Sequence, residues 1–161
     1  MRNSRIVNTV TAAAVSVTLL AGLAGGAVTA SAADPVAQVK VRQEHMKALG
    51  GGMKAVGDFV KNQGSADAAK TGAANIAKVA AVDVGEIFPQ GTAIGVAESY
   101  SRPALWDNWG KTQELWSAMK TNADTLVAAT ETGDRAQVAQ AMQAVGKTCG
   151  SCHEDFRQKK Q

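Results

Sequence analysis

Two cysteines, two histidines, three prolines and 4% aromatics in 161 residues leave little material for several common kinds of site. Two cysteines cannot build a disulfide framework, and a bridge between Cys149 and Cys152 would close a tiny loop and contribute little. A zinc site wants four ligands, and the cluster at 149–153 supplies three at most. A thioredoxin-like thiol pair needs a βαβ context, whereas the flanks of these cysteines read as helix. No basic patch is interleaved with aromatics, so no nucleic-acid partner is indicated. No stretch alternates convincingly with period two, and there is no internal repeat or low-complexity linker. What is abundant is Ala, Lys, Gln, Glu and Met, with few β-branched runs, a composition that favours an all-α protein.

Residues 1–32 read as a cleaved secretory signal peptide. Arg2 and Arg5 form a short positive region, Ile6 to Val28 carries no charge, and Ala30-Ser31-Ala32 is a small-residue cleavage site. No twin arginine occurs, and no cysteine stands at the cleavage site to take a lipid. The apolar stretch is also about long enough to serve as an uncleaved anchor. Cleavage would start the mature chain at Ala33 and leave one domain, 33–161. The full chain holds 17 basic and 14 acidic residues. Losing Arg2 and Arg5 leaves fifteen against fourteen, a balance of +1, so the basic precursor says nothing of nucleic acid. The expected location is periplasmic.

Four helices can be read in that domain. The first spans about Val36 to Lys61, capped by Asp34 with Pro35 in the first turn. Its seam combines Val39, Met46, Met53 and Val60 with Arg42, Leu49 and Val56, a period of 3.5 residues that faces partner helices. The second runs from about Ala66 to Val84 with Ser65 as cap. The third runs from Pro103 to Thr130 with Ser101 as cap and Gly133 as terminator. Asp134 caps the fourth, whose face carries Val138, Met142, Val145, Cys149, Cys152 and Phe156, with Lys159 and Lys160 suiting its C-terminus. Gly85 to Arg102 is the one long connection. This is an antiparallel four-helix bundle with a long crossover between helices 2 and 3, a fold that holds cofactors between facing helices.

Cys149-Gly150-Ser151-Cys152-His153 is the pattern for covalent attachment of a c-type haem. On a helix, positions 149, 152 and 153 share a face within about 100°, so both thiols and the imidazole converge on one flat ligand. Cys149 and Cys152 would bond the haem, and His153 would ligate the iron from the proximal side. Attachment of c-type haem outside the cytoplasm agrees with export.

The run from Val145 to Arg157, with this motif near the C-terminus, resembles the haem-binding helix of the cytochrome c-prime family, the class II c-type cytochromes. Arg42-Gln43-Glu44-His45-Met46-Lys47 resembles the family's first helix. Phe88-Pro89-Gln90-Gly91-Thr92 and Ala104-Leu105-Trp106 resemble its crossover and the start of its third helix. The resemblance implies a four-helix bundle, commonly a dimer, with one covalent haem c held near one end and a proximal histidine. It implies a haem propionate as partner for Arg42, and an electron carrier or gas binder rather than an enzyme. Met46 then decides the function. As the distal ligand it makes a six-coordinate, low-spin electron carrier that exchanges electrons with redox partner proteins in the periplasm. As mere packing it leaves an open site for nitric oxide or carbon monoxide. The segment around it looks closer to the low-spin branch. His45, about 100° around the helix, is expected to face solvent. Gly50, Gly51 and Gly52 together cost a helix about 3 kcal/mol, an expense explained by close approach to haem or a neighbouring helix, or by a kink. Met53, Met119 and Met142 read as core.

Overall fold

The computed structural model describes residues 34–159. The expected signal segment 1–32 and its cleavage site therefore lie outside the described residues.

Short-range side-chain chemistry starts and stops the long helices. Helix α1 (Pro35–Val60) begins where the Asp34 carboxylate accepts a bond from the Val36 amide at 3.0 Å, with Pro35 in its first turn. Helix α2 (Ala66–Ala80) begins where Ser65 Oγ accepts from the Ala68 amide at 3.1 Å. It ends four residues earlier than expected, and Asp83, inside the expected span, starts something new. The Asp83 side chain accepts from the Gly85 amide at 2.7 Å and caps a single turn, α3 (Val84–Ile87). Such local side-chain bonds compete with helix continuation.

The third expected helix is broken in two. A turn, α4 (Ala104–Asp107), is separated from α5 (Trp109–Thr132) by Asn108, whose backbone leaves the helical region at φ −114° and ψ 46°. The Asn108 side-chain amide donates back to the Ala104 carbonyl at 2.9 Å and stabilises the break. Ser101 is not the cap expected of it; it pairs instead with Arg157 in an isolated antiparallel bridge. Gly133 closes α5 in the left-handed conformation at φ 68°. Asp134 caps α6 (Arg135–Phe156) by accepting from the amides of Ala136 and Gln137 at 2.8 and 3.3 Å. Because α6 stops at Phe156, Lys159 lies beyond it rather than in its last turn.

Helix α1 packs on α2, α2 on α5, α5 on α6 and α6 on α1, closing a four-helix bundle. Its centre is filled by Val56, Ile76, Leu126, Val138 and Val145. A second cluster (Val84, Ile87, Phe88, Leu105 and Phe156) gathers where the crossover covers one end. Met46 and Trp116 touch both clusters, so the seam between them lies at the crossover end of the bundle. Helix α1 is unbroken through its three glycines. Gly52 faces α2 so closely that an added Cβ would lie 2.6 Å from the Gly72 carbonyl oxygen, whereas Gly50 and Gly51 meet nothing within 4 Å. Close helix approach explains one glycine of the three. Among the described residues no helix is long and apolar enough to cross a membrane.

Candidate functional site

A cavity of about 480 Å³ opens at that seam, within the range of small-molecule and cofactor sites. Helix α1 contributes Val39, Arg42, Met46 and Leu49 to its lining; α6 contributes Cys149, Cys152, His153 and Phe156. Leu105, Trp116 and Met119 add apolar wall, and Phe88 with Glu98, Ser99, Tyr100 and Ser101 of the crossover completes the lining. The five residues singled out from sequence, Arg42, Met46, Cys149, Cys152 and His153, thus line one space although α1 and α6 are about a hundred residues apart.

The walls are held by bonds to backbone. Trp116 Nε1 donates to the Val82 carbonyl at 3.0 Å, and its ring meets Phe88 edge-on with centroids 6.2 Å apart. Trp106 Nε1 donates to the Phe88 carbonyl at 3.0 Å. One residue before Cys149, Thr148 Oγ1 accepts from Asn122 Nδ2 of α5 at 2.9 Å, which sets the rotation of α6 against its neighbour. His45 is half-buried and does not line the cavity. Met53 and Met142 are half-buried in the central cluster; Met119, read only as core, also reaches the cavity.

Arg42 is 4% exposed, an unusual state for a cation. Nη1 donates to Thr92 Oγ1 at 2.7 Å, and Nη2 donates to the Thr92 carbonyl at 2.8 Å and to Ser99 Oγ at 2.9 Å. Its guanidinium also stands over the Phe88 ring, 5.4 Å from the centroid. Burial lowers its pKa from the ordinary arginine value, yet arginine stays protonated in proteins. None of these partners carries a charge, and the three bonds leave two of the five N–H donors, one on Nη1 and the one on Nε. Thr92 and Ser99 were not foreseen as partners of Arg42 because they sit fifty and fifty-seven residues away in a loop, where no periodicity marks them.

Burial raises the Cys149 pKa, and burial with contributions from Cys149 and Asp155 pushes Cys152 up to about 11. At His153, partial desolvation and then the nearby Arg157 cation lower the pKa from the usual imidazole value.

Two thiols, an imidazole, a thioether and a buried cation hydrogen-bonded only to neutral groups among the described residues surround an apolar cavity, which suits a flat apolar group that carries a metal and carboxylates. The chemistry of the donor set therefore fits haem. Comparison with known proteins agrees. The family model described as Cytochrome C' matches residues 37–157. The chain is 35% identical over 134 residues to a cytochrome c' of Rhodospirillum rubrum, covering 80% of this chain and 86% of that protein. It is 33% identical over 144 residues to cytochrome c-556 of Agrobacterium fabrum, covering 89% and 96%. Among solved structures, the nitric oxide complex of a variant cytochrome c prime from Alcaligenes xylosoxidans superposes with a TM-score of 0.69 at 26% identity, covering 80% of this chain and 99% of that one. The chain belongs to the cytochrome c' family of haem proteins, electron carriers or gas binders whose cofactor is a covalently attached haem c.

Proposed function

We propose that this protein is a periplasmic one-electron carrier whose haem is attached to Cys149 and Cys152 and ligated by His153 and Met46. The observation that carries this reading is the meeting in one cavity of the α6 thiols and imidazole with the α1 thioether. Bound haem supplies the Fe(III)/Fe(II) couple. The chain's residues supply the rest. Cys149 and Cys152, one helical turn apart, anchor the group on one face, and His153 beside them reaches it from the same helix. The Met46 thioether is a soft ligand that favours the reduced state and raises the potential. Leu49, Leu105, Trp116 and Phe156 give the bound group an apolar wall. Arg42 has two N–H donors left for a propionate, the anion that its buried charge otherwise lacks. Partners are then other periplasmic redox proteins. Export through residues 1–32 belongs to the same proposal, with the mature chain beginning at Ala33.

A second reading, binding of a small gas at an open sixth position, draws support from the neighbour described as a nitric oxide complex. In that case Met46 only packs in the cavity. The ferric protein separates the two by electron paramagnetic resonance at neutral pH. A low-spin signal that turns high-spin in Met46→Ala, with carbon monoxide binding gained, supports Met46 as ligand. A high-spin signal in the unaltered protein refutes it.

A further inference from the structure

The last turn of α6 lies directly after His153, and the last four carbonyl groups of a helix have no amide partner within it. The His153 carbonyl accepts from the Arg157 amide at 3.1 Å. Arg102 takes the other three. Its backbone amide donates to the Phe156 carbonyl at 2.8 Å, and its Nη2 donates to the carbonyls of Glu154, at 2.9 Å, and Asp155. Alongside, the Gln158 amide donates to the Tyr100 carbonyl at 2.8 Å, and Ser101 pairs with Arg157. Residues 100–102 thus form a strap across the end of the helix that bears the haem motif. The same stretch of crossover holds Arg42 through Thr92 and Ser99, and Tyr100 and Ser101 line the cavity.

Arg102 carries a cost for this placement, since its Nε is buried with no hydrogen-bond partner among the described residues. A residue serving only as a surface charge would not be held that way. Its cation also sits at the negative end of the α6 dipole. We propose that Arg102 is a positioning residue for the haem iron: by capping the turn after His153 it fixes the orientation of the imidazole and the charge beside it. Metal-bound histidines are oriented by such outer partners. The inference rests on the reading of His153 as the proximal ligand.

The test uses the holoprotein with Arg102→Gln, which loses charge and fork, and Arg102→Lys, which keeps charge without the fork. Amide hydrogen exchange at residues 156–158 is expected to accelerate at least about tenfold in both variants. In ferric proton NMR one set of shifted His153 ring signals is expected for the unaltered protein, and split or broadened signals in both variants. The midpoint potential should fall in the Gln variant, because a cation that favours ferrous iron is lost, and fall less in the Lys variant. Where Arg102→Gln fails to fold, Arg102→Lys carries the exchange and ring-signal measurements alone. Faster exchange with unchanged ring signals and potential would reduce Arg102 to a structural cap and overturn the proposal, as would unchanged exchange. His153→Ala is the control for the underlying reading. If that variant keeps the unaltered axial spectrum, the ligand assignment and the positioning role fall together, while the exchange measurement still reports whether Arg102 caps α6.

Discussion

Three consecutive glycines in the middle of α1 should respond to alanine with opposite signs. At Gly50 and Gly51 an added Cβ meets nothing within 4 Å, so each substitution should return the helical propensity that glycine forfeits, about 1 kcal/mol. At Gly52 the same methyl would lie 2.6 Å from the Gly72 carbonyl oxygen and 2.7 Å from Ile76 Cγ1. The obstacle includes backbone of α2, which cannot rotate away as a side chain can, and Gly72 is equally tight against the Gly52 carbonyl at 2.8 Å. Overpacking of this kind costs about 1–3 kcal/mol against the same gain of about 1 kcal/mol. The variants Gly51→Ala and Gly52→Ala should therefore differ by about 1–3 kcal/mol, on the order of 4–12 °C in Tm for a domain of this size. Urea denaturation of the holoprotein, followed by far-ultraviolet circular dichroism and checked by thermal melts, measures it. Gly52→Ala within about 0.5 kcal/mol of Gly51→Ala would refute the claim that helix proximity, rather than a need for flexibility, holds glycine at position 52.

Thr92→Val deletes a fully buried hydroxyl that accepts from Arg42 and donates to the Pro89 carbonyl; a loss of about 2–3 kcal/mol is expected by urea denaturation, while Thr92→Ser should retain most of the stability. His45→Ala should leave the ferric absorption spectrum unchanged, because His45 does not line the cavity, whereas His153→Ala should abolish the native axial ligand field. Asp134 has a lowered pKa, chiefly through its side-chain bond with Gln137 and then the amides of Ala136 and Gln137. A depressed carboxylate stabilises the fold above its unfolded value and loses that contribution as pH falls through its folded value. The stability gap between the unaltered protein and Asp134→Ala should thus be full at neutral pH and shrink once the pH drops below about 3.9, which paired urea titrations would register.

Much of the fold was readable because its signals act over a few residues. Asp34, Ser65 and Asp134 each bond an amide two or three positions ahead, and Gly133 needs only its own left-handed backbone. The α1 seam was legible for the same reason, since Val39, Leu49 and Val56 are buried by helical geometry alone. The expected helix 2 overran because nothing local in the sequence marks Asp83 as a new start, and only its bond to Gly85 does. The continuous third helix failed at Asn108 for a similar reason: its side chain turns back on Ala104. Ser101 looked like a cap, but its partner, Arg157, is fifty-six positions onward and leaves no trace in local sequence.

By itself the sequence determined the all-α class, the bundle with one long crossover, the family and the haem. These follow from helical periodicity, short-range capping and one five-residue motif, all of which act within a few turns of chain. The tertiary structure alone decided what surrounds that motif. It gathered Met46 and His153 at one cavity, gave buried Arg42 its partners in the crossover, and laid Arg102 across the end of α6. Each brings together segments fifty or more residues apart, a matter of packing and hydrogen-bond satisfaction between elements that no local pattern encodes.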